Sequence, residues 1–231
     1  MNWFPIFLLV SAAYSQSHSA APDKAKPPSS ETLRYNVNWP SGLSLGEGQL
    51  SATTEDGERS YAFSMEAAVP GFVLREAAKA TASKDFCSVE LEKNATRGKR
   101  TVDETTTFDQ KNFTAVRKTN KGGKTDLTIP ACAKDALTFV FFLRRELAAG
   151  RLPQVQSVYY GAAYQVRVMY TGVQTIRIGG QPVEADRIAA VIKGPGSEST
   201  ADLFFARDAV RTPLLIQAPL PLGKFSLELS R

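Results

Sequence analysis

The sequence contains one histidine, His18, beside an apolar N-terminal run, so residues 31–231 hold no imidazole. Serine hydrolysis through a histidine base and histidine-ligated zinc are therefore excluded from the folded body. Gly42-Leu43-Ser44-Leu45-Gly46 spells the G-x-S-x-G of a nucleophile elbow. That chemistry needs a strand-to-helix turn and a proton acceptor, and here the motif lies in strand-like sequence with no helix after it. No S-x-x-K spacing offers a lysine base instead. Gly122-Gly123-Lys124-Thr125 matches the end of a phosphate-binding loop, but the opening glycine would fall on Lys118. A hairpin turn explains the same letters, because paired glycines supply positive φ. The carboxylates Asp103-Glu104 and Asp56 with Glu58 fit no ligand or catalytic spacing and read as solvated strand edges. An enzyme built on carboxylates alone would need two acids facing each other across a cleft.

Two groups of residues remain. Cys87 and Cys132 are the only cysteines. Their simplest role in an exported chain is to pair, which in the chain-entropy model contributes roughly 4 kcal/mol; two buried free thiols are the alternative. Without a nearby histidine or C-x-x-C spacing they make only half a metal site, so neither metal nor cofactor is expected. Residues 93–124 hold nine basic side chains against three acidic ones, a local +6 that exceeds the +5 of the whole chain. Within them Lys111, Arg117, Lys118, Lys121 and Lys124 form a candidate basic patch. It could face an anionic envelope surface, or serve as a charged edge that resists aggregation. Nucleic acid is not an expected partner, since no recognised module for it is present.

Residues 1–15 carry an apolar run, Trp3–Val10, followed by Ala13 and Ser15 at the −3 and −1 positions of a cleavage site, the pattern of a signal peptide. Its n-region lacks Lys and Arg. Residues 16–30, rich in Pro, Ser and Ala, read as a flexible tether, and 31–231 as a single domain. The expected location is the periplasm or the extracellular space. No apolar run approaches the ~20 residues of a transmembrane helix.

Period-two alternation dominates that domain. Leu33, Tyr35, Val37 and Trp39 share one strand face, as do Tyr61, Phe63, Met65, Ala67 and Val69. Cys87, Val89 and Leu91 repeat the pattern, followed by Tyr164, Val166, Val168 and Tyr170, then Leu214, Ile216 and Ala218, then Phe225, Leu227 and Leu229. Turns fall at Asp56-Gly57, Gly122-Gly123, Gly179-Gly180 and Gly194-Pro195-Gly196. Ala133–Ala149 is the exception: a helix with basic residues in its later turns, Gly150 as its C-terminal stop, and apolar side chains nearly all round. Such a helix must be enclosed. The expected fold is mainly β, a curved antiparallel sheet or half-open barrel of about ten strands wrapping that hydrophobic helix.

Three stretches together, LRYNVNWPSGLSLGEGQL, CAKDALTFVFFLRR and LFFARDAVRTPLLIQAPLPLGKFSLELSR, resemble the bacterial domain of unknown function 3108 family of exported envelope proteins. The third carries Arg207-Asp208-Ala209 where the family has a Ser-Asp-Asp-type turn. The resemblance implies placement in the cell envelope and a likeness to half-barrel lipoprotein carriers. It implies no catalytic residues.

The reading that follows is a non-enzymatic exported binding module that holds a lipid or other apolar ligand between sheet and helix. Its candidate lining residues are Trp39, Phe63, Phe139, Phe142 and Leu143, for each of which core packing is the competing role. The alternative is an envelope scaffold or assembly factor acting through the basic hairpin.

Overall fold

The computed structural model describes residues 29–69, 72–220 and 223–230. The predicted leader and all but the last two residues of the predicted tether lie outside these. The strands are β1 (Ser30–Asn38), β2 (Ser44–Glu55), β3 (Glu58–Val69), β4 (Phe72–Ala82), β5 (Ser88–Arg97), β6 (Arg100–Asp109), β7 (Thr114–Thr119), β8 (Lys124–Thr128) and β9 (Lys134–Asp135). Helix α1 (Ala136–Ala148) follows, then β10 (Gln156–Tyr159), β11 (Ala163–Ile178), β12 (Gln181–Lys193), β13 (Glu198–Ala206), β14 (Pro213–Leu220) and β15 (Gly223–Leu229).

All fifteen strands join one curved sheet, in the order β8-β7-β6-β5-β4-β3-β2-β1-β15-β14-β13-β12-β11-β10-β9. Two meanders meet where β1 pairs antiparallel with β15, Tyr35 opposite Leu229. The expected count of about ten is therefore corrected upward. Strands such as β6 (RTVDETTTFD) and β8 (KTDLT) are rich in Thr and charge, and the two-residue β9 is too short to show any period. The four anticipated turns join β2 to β3, β7 to β8, β11 to β12 and β12 to β13. At the first of these, Asp56 and Gly57 both take positive φ, as a tight hairpin requires.

The sheet is not closed into a barrel, yet its far edge comes back to β5. Ser88 N–H donates to Ala133 O at 3.0 Å. Gln110 Nε2 donates to Ser88 O at 2.7 Å and to Ala133 O at 3.0 Å, while its Oε1 accepts from Ala133 N–H at 3.0 Å. Cys87 and Cys132 are bridged at this point, joining segments 45 residues apart. One expected alternation fails beside them. Ser88 and Glu90 pair with Ala82 and Thr81, so Val89 is an extra residue in a β-bulge and points out, 45% exposed.

The helix begins at Ala136, later than Ala133, because Lys134 and Asp135 pair in parallel with Val158 and Tyr159 as β9. Asp135 is the N-cap, accepting from Leu137 N–H at 2.8 Å and Thr138 N–H at 3.0 Å. Its other carboxylate oxygen accepts from Ser88 Oγ at 2.5 Å and Thr138 Oγ1 at 2.6 Å. Gly150, at φ +70°, ends the helix.

Helix α1 belongs to two apolar clusters at once. Leu137 and Phe141 pack with Tyr61, Ala80, Leu91 and Phe108 of one meander, the Tyr61 and Phe141 rings stacked at 4.3 Å. Phe139 and Leu143 pack with Val166, Val168, Ile188 and Phe205 of the other. Arg144 secures the helix to the sheet: its guanidinium makes two bonds to Glu31, at 2.6 and 3.0 Å, and donates to the carbonyls of Val210 and Arg211. A third cluster joins Ile178 and Ala185 to Phe204, Leu214 and Leu215.

Candidate functional site

Past the helix, the inward face of the first meander changes character. Along β5 the inward positions run Leu91, Lys93, Ala95, Arg97, and along β6 they run Phe108, Thr106, Glu104, Val102, Arg100. The alternation persists, but after Leu91 and Phe108 the side chains become mostly charged. Lys93, Ala95 and Arg97 of β5 and Arg100, Val102 and Glu104 of β6, with Arg117 of β7, Tyr160, Gly161 and Ala162 of the β10–β11 turn, and Tyr164 of β11, line a half-enclosed cleft of about 380 Å³.

Glu104 forms its floor. It stands opposite Lys93 in the β5–β6 ladder, and Lys93 Nζ lies 3.3 Å from Glu104 Oε1. Arg117 donates to Glu104 Oε2 from Nε at 2.8 Å and also from Nη2. The Glu104 side chain is only 3% exposed, so two cations answer one nearly dry carboxylate. The reading of Asp103-Glu104 as a solvated edge is thus half corrected. Asp103 faces outward and accepts from Asn94 and Asn120 side chains, whereas the strand period turns Glu104 inward.

The β10–β11 turn closes the cleft from the opposite meander. Tyr160 OH donates to Glu76 Oε1 at 2.6 Å, and Lys93 Nζ sits 4.4 Å from the Tyr160 ring centroid. Burial, reinforced by the Glu76 carboxylate, pushes the Tyr160 phenol well above its ordinary pKa, so it is a donor at any physiological pH. Gly161 is needed here on two counts. Its φ is +74°, and a Cβ would lie 2.7 Å from Glu104 Oε1.

Arg97 and Arg100 stand directly opposite each other at the end of the β5–β6 ladder, both on the cleft. Arg97 reaches Glu76 at 3.7 Å with its side chain 62% exposed.

The five anticipated ligand-lining residues do not converge on this space. Phe139 and Leu143 are buried in the second cluster. Phe142 is half-buried, its ring 6.2 Å from that of Phe86 and beneath the cations of Lys134 and Arg145. Phe63 packs on the first cluster, and Trp39 meets Phe225 edge to face at 4.8 Å.

The anticipated basic patch is divided as well. Lys111 lies in the β6–β7 turn, at the opposite end of β7 from Lys121 in the β7–β8 turn. Arg117 points inward to Glu104, while Lys118 points outward opposite Lys124. Lys124 in turn pairs with Asp126 at 3.1 Å. A period of two places neighbouring residues 117 and 118 on opposite faces, which a count of charge along the chain ignores.

Sequence reasoning counted Lys93, Arg97 and Arg100 only as charge, and missed Glu76 and Tyr160 altogether. The first three could have been found by extending the inward alternation past Leu91. Nothing local marks Glu76 and Tyr160, which lie 84 residues apart and meet only in the fold. Ser44 begins β2 and is exposed. Gly46, in the same motif, permits close strand approach, since a Cβ there would fall 1.9 Å from Glu66 O. Among the described residues no group of three or more His, Cys, Asp or Glu could hold a metal ion, and no helix is long and apolar enough to cross a membrane.

No curated protein matches the sequence. A similar solved structure is the beta-barrel-like protein of domain of unknown function DUF1849 from Brucella abortus, with a TM-score of 0.63 over 87% of this chain and 95% of that one. At 8% identity the likeness concerns the fold alone. The family model for DUF3108, a protein of unknown function, matches residues 34–230, from the first strand through the last, and the chain belongs to that family.

Proposed function

We propose that this protein is a non-catalytic binding module of an exported compartment, and that its ligand occupies the cleft between β5–β7 and the β10–β11 turn. The observation that carries this reading is the contrast within one concave surface. Where the helix lies, apolar side chains pack into continuous clusters; beyond it the same strands line a space of about 380 Å³. That volume lies within the ordinary range for small-molecule sites. Export is supported by the Cys87–Cys132 bridge, since disulfides persist in oxidising compartments. A non-catalytic role is supported by the lack of histidine in residues 31–231 and by Glu104 being committed to Lys93 and Arg117.

The test is native mass spectrometry of the full chain purified from its own host, beside the variant Ala95→Trp. Ala95 is 6% exposed and lines the cleft, so the indole occupies the ligand's space. The unaltered protein is expected to carry a small molecule that the variant, with an unchanged urea midpoint, lacks. A small molecule retained by Ala95→Trp, or an unaltered protein that carries none, would overturn the assignment.

A further inference from the structure

We propose that the cleft recognises an oxyanion borne on a less polar stem, with Arg97 and Arg100 gripping the anion at the mouth and the stem lying against Ala95, Val102 and Tyr160. This rests on the cleft being the ligand site.

The lining carries four cationic side chains, Lys93, Arg97, Arg100 and Arg117, against the single carboxylate of Glu104. The excess is not spread evenly. Lys93 and Arg117 are answered by Glu104 at the floor. At the mouth, Arg97 has only its longer contact to Glu76, and Arg100 makes no ion pair among the described residues. Like charges placed directly opposite across a ladder repel. An anion between Arg97 and Arg100 removes that repulsion, and guanidinium forks suit the paired oxygens of phosphoryl and carboxylate groups.

Between mouth and floor the cleft is not polar. Ala95 and Val102 are ladder partners, and Tyr160, Gly161, Ala162 and Tyr164 complete the wall. A free inorganic anion would leave most of this volume unfilled. Glu104 adds a direction: it already occupies Lys93 and Arg117 at the floor, so the cations left for the charged end of the ligand are Arg97 and Arg100 at the mouth, and the stem points inward.

The experiment is calorimetric titration of the full chain at low salt with inorganic phosphate, octyl phosphate and octanol. Octyl phosphate is expected to bind more tightly than either of the others and to weaken as salt is added. Arg97→Gln with Arg100→Gln is expected to weaken octyl phosphate at least about tenfold, the loss of one or more hydrogen bonds to a charged group. Lys111→Gln, in the distant β6–β7 turn, is expected to leave it unchanged.

Octanol binding as tightly as octyl phosphate, or the double arginine variant binding normally, overturns the oxyanion assignment. Inorganic phosphate matching octyl phosphate overturns the stem. Failure of all three probes to bind overturns the proposal as a whole. Ala95→Trp separates the two levels. If it abolishes binding while the arginine variant keeps it, the cleft stands and its anion preference falls; if it leaves binding intact, the cleft itself is the wrong site.

Discussion

Glu104 shows how much one inward carboxylate decides. It is 3% exposed in its side chain, and Lys93 and Arg117, 13% and 26% exposed, both close on it. Removing the shared partner of a largely buried ion cluster leaves two cations uncompensated, so Glu104→Gln is expected to cost about 3 kcal/mol in urea unfolding. A loss within error would show that the cluster is solvated. Glu146 is a different case, set near the end of α1. Arg151 holds its carboxyl below the usual range, burial opposes the shift, and Arg145 adds to it. A folded pKa below the unfolded one gives stability that is full above the ordinary glutamate value and is lost as pH falls through the folded value. Arg151 is 62% exposed, so the effect is screened: Glu146→Gln is expected to lower stability at pH 7 by under about 1 kcal/mol. The two proteins should converge under acid conditions, and a constant difference at all pH values would rule this origin out.

Among the elements, β9 and α1 depend on each other. The two-residue strand has little pairing of its own, yet Asp135 is at once its last residue and the cap of the helix. The disulfide and Gln110 hold this junction against the start of β5. Replacing both cysteines by serine is expected to cost about 4 kcal/mol by the chain-entropy model for a 45-residue loop. Beyond that loss, the amides of Ser88 and Ala133 should exchange with solvent faster than those of the central strands. Uniform exchange across the sheet would mean that the bridge acts on global stability alone.

At the scale of the molecule, a fifteen-stranded sheet that does not close must manage its two edges. At one, β9 is short and covered by the disulfide junction. At the other, β8 is five residues long, exposed except at half-buried Leu127, and carries Lys124 and Asp126. Charged residues on an open edge discourage pairing with another chain. Lys124→Val with Asp126→Val turns β8 into an uncharged, β-prone edge. Concentration-dependent light scattering is expected of that variant and not of the unaltered protein; a monodisperse double variant would show that β8 is protected by something other than charge.

The sequence by itself determined the local order. Alternation marked the strands around Tyr35, Tyr61, Val166 and Leu227; paired glycines and Asp56-Gly57 marked the turns; and the apolar run through Phe139 and Leu143 marked an enclosed helix. These are readable because side-chain period and turn chemistry act over a few residues. The bulge at Val89, the parallel β9 and the meeting of Glu76 with Tyr160 belong to the tertiary structure. Strand period tells which residues share a face, but it does not tell which faces curve toward each other. For that reason the charged cleft, assembled from both meanders of the sheet, took shape only in the fold.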